Sequence, residues 1–118
     1  MMTGNKLFER VLSLLGYLNS HSVRADNENL LKRAPDVINQ VCLDLKIPTI
    51  SRLSDNIKAS DLALEALCYG VAMIMSLIDG DGARNKIFTD IYNSKRAAVL
   101  SSTESIEDKL PTIAYGVD

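Results

Sequence analysis

One histidine, His21, and two cysteines set far apart, Cys42 and Cys68, leave this chain short of the side chains that build metal centres and nucleophilic sites. Metal sites need several such ligands at short spacings, so none is expected. A Cys–His pair is disfavoured on other grounds. His21 falls in a polar loop, while both cysteines fall on the apolar faces of expected helices, where burial suppresses the thiolate. They are read as buried, reduced thiols and not as a disulfide, because nothing here has the pattern of a secreted scaffold. No cofactor is assigned, and the chain is not read as an enzyme.

A dominant charge is missing too. Thirteen basic residues against fifteen acidic ones give a net charge of -2 and a pI near 5.3. Nucleic-acid grip draws its affinity from neutralising several phosphates, so this balance argues against it. Long apolar runs are absent as well: the uncharged run Ala66 to Ile78 is 13 residues, short of the ~20 that cross a bilayer. Glu9 and Arg10 interrupt the apolar start, and no small-residue cleavage site follows it. The expectation is a soluble protein made in the cytoplasm, without a signal peptide or a membrane partner.

What the chain does contain is helical periodicity. With 118 residues it suits one domain that buries its core without metals or disulfides. Leu7/Phe8, Val11/Leu12, Leu14/Leu15 and Leu18 recur at three and four residues, predicting a helix over about 6–19. A polar loop follows, with Asp26 as an N-cap for a second helix carrying Leu30/Leu31, Ala34, Val37/Ile38, Val41/Cys42 and Leu45. Pro35 implies one kinked helix or two abutting pieces. Residues 47–59 hold Pro48 and β-branched residues without a helical period, so an extended connection or short strand is expected.

Ser60, followed by Asp61, caps a third helix that runs to Ile78. It is apolar on every side, which makes it the central helix of a bundle. Gly70 in its middle costs on the order of 1 kcal/mol relative to alanine. Close approach by another helix would offset that, either helix one or two of this chain or a helix of a neighbouring subunit. Asp79-Gly80-Asp81-Gly82 then makes a turn. Read as a calcium loop it fails, since Ala83 and Arg84 stand where a ligand and a glycine are required. It lacks the Gly-Lys-Ser/Thr of a phosphate loop as well.

A fourth helix is expected over about 83–100, with Ile87/Phe88, Ile91/Tyr92 and Ala98/Val99 on one stripe. From Ser101 the stripe lapses and Pro111 opposes a helix, so 1–100 is read as the helical domain and 101–118 as an extended tail. The fold class is all-α: a small four-helix bundle with an extended connection between helices two and three. Ile106, Leu110, Ile113 and Tyr115 make the tail a segment that docks on a partner.

Ala66-Leu-x-Tyr-Gly-Val-Ala72, the Gly80-Asp81 turn and Tyr92-Asn-x-Lys-Arg96 follow one another, flanked by RAPDVINQVCLDLK at Arg33 to Lys46 and SSTESIEDKLP at Ser101 to Pro111. In that order they resemble the small helical head-tail connector (adaptor, head-completion) proteins of tailed bacteriophages and prophages, over most of the chain. The resemblance implies a structural protein of the virion, made in the cytoplasm of a bacterial host. It would form a homo-oligomeric ring that contacts the portal protein and the tail-completion proteins and lets DNA pass without specific binding. A mildly acidic chain suits such a conduit.

By residue type alone Lys95 lies at the boundary of bundle and solvent, its stem covering apolar surface. The resemblance implies instead that Tyr92, Asn93, Lys95 and Arg96 meet a neighbouring subunit. A rival of another class is a small helical nucleic-acid-binding regulator, with helix four as its recognition element and Lys86, Lys95 and Arg96 as its cations.

Overall fold

A computed structural model describes the backbone of residues 2–16 and 24–115 and the side chains of 2–16 and 30–102. His21 lies outside the described residues. The order is β1 (Met2–Thr3), α1 (Gly4–Leu15), α2 (Arg24–Leu45), β2 (Asn56–Ile57), α3 (Asp61–Ile78) and α4 (Gly82–Tyr115). Among the described residues the architecture is the expected all-α one, with four helices and one two-stranded ladder.

Thr3 starts α1 by accepting the Lys6 N–H through its hydroxyl. Gly16 ends it at φ +80°, its N–H returning to Ser13 and Leu12. The expected end at residue 19 was too late because a glycine in the left-handed region stops a helix whatever apolar residue follows. The buried face is Leu7, Phe8, Val11, Leu12 and Leu15. The N–H groups of Gly4 and Asn5, unpaired at any helix start, donate to the carbonyls of Asp55 and Leu53.

Those carbonyls belong to the connection after α2, which is pinned twice. β2 pairs antiparallel with β1, Met2 opposite Ile57 and Thr3 opposite Asn56. Asn39 on α2 then grips the main chain of Ile50, accepting its N–H and donating to its carbonyl, both at 2.8 Å. The extended connection with a short strand is therefore observed. α2 itself passes through Pro35 as one helix.

α2 stops at Lys46, which has φ +61° while the Ile47 N–H returns to the Cys42 carbonyl at 3.0 Å. A residue bearing a Cβ pays on the order of 1–2 kcal/mol to sit there, and glycine does not. Lys46→Gly is expected to raise stability by about 0.5–1 kcal/mol, after glycine's larger loss of chain entropy. A urea midpoint that rises checks this, and a lower one would contradict it.

α3 is capped as expected, the Ser60 hydroxyl accepting the Ala63 N–H at 3.2 Å. It runs through the middle of the molecule. Ala63, Leu64, Ala66, Leu67, Cys68, Gly70, Val71, Ala72, Met75 and Ser76 are all buried. Its length and composition would suffice to cross a bilayer, yet 56% of it is buried inside the bundle, which marks a core helix.

A Cβ on Gly70 would lie 2.6 Å from Val41 Cγ1 and 2.7 Å from Tyr92 Cε1. The helices that approach it are thus α2 and α4 of the same chain. The Asp79–Gly82 turn is built from main-chain bonds, Asp79 to Met75 and Asp81 to Ser76. Asp81 caps α4 by accepting the Arg84 N–H at 3.0 Å.

α4 differs most from expectation. The lapse of the apolar stripe predicts an end at Leu100 before an extended tail, but the backbone stays helical to Tyr115. Once a helix is nucleated, each added residue costs little and needs no apolar stripe. The expected domain boundary at 100 falls inside this helix. α4 packs antiparallel on α3, with Asn85 meeting Met73, Tyr92 meeting Gly70 and Lys95 meeting Glu65. Continued at that pace the two helices part company near Leu100, where α3 begins at Asp61. The remaining fifteen residues of α4 run on for about 22 Å at ~1.5 Å each. This accounts for a long axis of 62 Å against 30 and 18 Å across.

Candidate interface on helix four

The Tyr92 to Arg96 motif sits where α4 crosses α2 and α3. Tyr92 is 4% exposed, since its place on the Phe88 and Val99 stripe turns its ring onto Gly70. Its hydroxyl donates to Asp44 Oδ2 on α2 at 2.5 Å. Arg96, one turn along α4, donates from Nε to the same oxygen at 2.8 Å. The Tyr92 hydrogen bond first, and Arg96 after it, hold the Asp44 carboxyl below its usual range. Burial, followed by the Asp44 hydrogen bond and charge, pushes the Tyr92 hydroxyl well above the ordinary phenol.

Lys95 points the other way. Its Nζ is 2.9 Å from Glu65 Oε1 on α3 and 5.4 Å from the Tyr69 ring centroid. That ring packs tilted against Phe88, with centroids 6.1 Å apart. Lys95 lowers the Glu65 carboxyl through hydrogen bond and charge. The four motif residues therefore divide. Tyr92, Lys95 and Arg96 tie α4 to its own bundle, and Asn93 is exposed. Tyr92 belongs to this chain's core, and the Lys95 ammonium is paired with Glu65 within the chain. Ile106, Leu110, Ile113 and Tyr115 are placed on α4 by their backbone, and their side chains lie outside the described residues.

These ties carry a pH dependence with a definite sign. A carboxylate whose folded pKa is depressed stabilises above its unfolded pKa and loses that contribution as pH falls through the folded value. Asp44 and Glu65 behave so, as does Asp55, which accepts the Arg52 and Ser51 N–H groups. Asp79 opposes them, raised by burial and then by Asp81, so acid relieves it. Of these, Asp44 and Glu65 tie α4 to α2 and α3. The urea midpoint is expected to fall between about pH 5 and pH 3, less steeply in Asp44→Asn; a midpoint that rises on acidification would contradict these pairings.

Arg84 was not anticipated. Its guanidinium donates to the carbonyls of Leu15 and Leu14 at the end of α1 and lies 3.4 Å from Asp81. A cation suits the negative end of a helix. Nothing in the local pattern signalled it, because its targets are about 70 residues away. Both cysteines are buried and free, and burial raises each thiol to about 11, where almost none ionises at neutral pH. Among the described residues no three His, Cys, Asp or Glu side chains converge on a metal position.

Comparison with protein-family models, with curated proteins and with solved structures finds no match to this chain.

Proposed function

We propose that this chain is a structural assembly protein, a head-tail connector that forms a ring beneath the portal of a tailed phage or prophage. Its partners would be the portal protein and the tail-completion proteins, and its place the virion. The observation that carries the reading is α4, a helix that bears the Tyr92 to Arg96 motif and then continues fifteen residues past the start of α3. An extension past the start of α3 gives the helix reach to a neighbour. The sequence resemblance supplies the identity of that neighbour.

The polar residues of the motif are occupied within the chain, which bears on the rival reading. Asp44, Glu65, Lys95 and Arg96 are spent on ties between helices. The regulator reading loses support for the same reason, because Lys95 and Arg96, two of its three cations, are neutralised within the chain.

The test is co-sedimentation of the purified chain with portal rings encoded in the same genome. The chain is expected to pellet with the portal and to leave duplex DNA unshifted in a low-salt gel titration. DNA binding with a steep salt dependence and no portal binding would overturn the reading in favour of the regulator.

A further inference from the structure

Between α2 and α4 lies a groove of about 480 Å³, lined by Gln40, Val41, Leu43 and Asp44 of α2, Met73 and Ile74 of α3, and Tyr92 of α4. Leu43 on its wall is 70% exposed, and Leu77, one turn beyond Met73, is 66% exposed. These are the most exposed large apolar side chains among the described residues. Because Leu77 shares a helix face with Met73 and Ile74, the apolar floor continues toward the α3–α4 turn. A trough between two helices over the face of a third has the shape of a seat for one more helix.

The end of α4 has the form of such an occupant. Its backbone is helical to Tyr115, and Ile106, Leu110 and Ile113 are spaced by four and three residues, the interval of anchors that enter an apolar groove. It cannot reach the groove of its own chain. That groove lies beside Tyr92, whereas α4 carries its last turns away from it, past Asp61. Charge agrees with an exchange between copies. Residues 101–118 hold four acids and one lysine, while 1–100 hold eleven acids and twelve basic residues, so tail and body have opposite net charge, and the Asp44 carboxylate in the groove lining is already paired with Arg96.

We propose that the last turns of α4 of one copy lie in the α2–α4 groove of a second copy. Each copy then offers one tail and one groove, a head-to-tail contact that closes into a ring if the rotation allows and otherwise propagates. This deepens the ring reading by naming the contact between copies. Its test uses the purified chain without portal, so its failure leaves portal docking to its own experiment.

Sedimentation velocity over a concentration series up to about 1 mM would compare the parent with Leu43→Glu, Leu110→Glu and their equimolar mixture. Circular dichroism checks folding, and a chain ending at Leu100 replaces Leu110→Glu if that variant loses helicity. The parent is expected to add copies as concentration rises, and each variant alone to associate roughly tenfold or more weakly. The mixture should stop at a one-to-one pair, since one intact groove and one intact tail remain. A parent that stays monomeric would overturn the proposal and leave the groove to a different protein. It would also be overturned if either variant associated like the parent, or if the mixture formed no pair.

Discussion

Replacing Gly70 with leucine is expected to destabilise the fold by about 3 kcal/mol, the upper end for overpacking, and to lower the melting temperature by roughly 10–15 °C. The cause is local. A Cβ alone would stand 2.6 Å from Val41 Cγ1 and 2.7 Å from Tyr92 Cε1, closer than carbon atoms approach. Neither neighbour moves freely: Val41 is on a buried helix face, and the Tyr92 ring is held by its bond to Asp44. Gly70→Ala separates the two effects at stake. Helix propensity favours alanine by about 1 kcal/mol, so a net loss of about 1 kcal/mol would mean that close packing costs about twice that. Val41→Ala in the Gly70→Ala background should recover part of the loss, a coupling that a double-mutant cycle measures. A raised midpoint in Gly70→Ala would show that α2 and α4 do not meet α3 at this point.

The second large effect concerns α4. If the chain is the proposed connector, a version ending at Leu100 is expected to keep its melting temperature nearly unchanged and to fail altogether to join portal particles. α3 begins at Asp61, and among the described residues the polar ties from α4 to α2 and α3 end at Arg96, so the residues beyond Leu100 are expected to contribute little to the interface between these helices. Far-UV helicity should fall by no more than the fifteen helical residues removed. A truncated chain that unfolds would place residues 101–115 in the intrachain core, and one that still joins portal particles would deprive the helix end of its docking role.

Much of the bundle was legible because its signals are local. Ser60 with Asp61, the all-round apolar run and the glycine-acid turn define α3 without reference to anything distant. Gly70 announced a close neighbour for the same reason, although only the fold distinguishes α2 and α4 from a helix of another subunit. The ties of the candidate interface were illegible because each joins residues far apart in sequence. Tyr92 and Arg96 reach Asp44, 48 and 52 positions away, and Lys95 reaches Glu65 across 30. The β1–β2 ladder was hidden for another reason, two residues per strand being too few to show a period.

The misread tail of α4 had a usable signal. Val99, Ile106, Leu110 and Ile113 are separated by seven, four and three residues, all helical intervals. The polar run Ser101 to Ser105 and the proline at 111 obscured it. A proline removes one hydrogen bond from a helix and does not forbid the turns around it, and Pro35 inside α2 makes the same point.

The proposed connector role is tested most directly by deleting this gene from the genome that carries it and examining by electron microscopy any particles released on induction. DNA-packaging heads without attached tails, alongside free tails, are the predicted result, with tailed particles restored by the full chain and not by the chain ending at Leu100. Tailed, infectious particles at undiminished titre from the deletion strain would contradict the account.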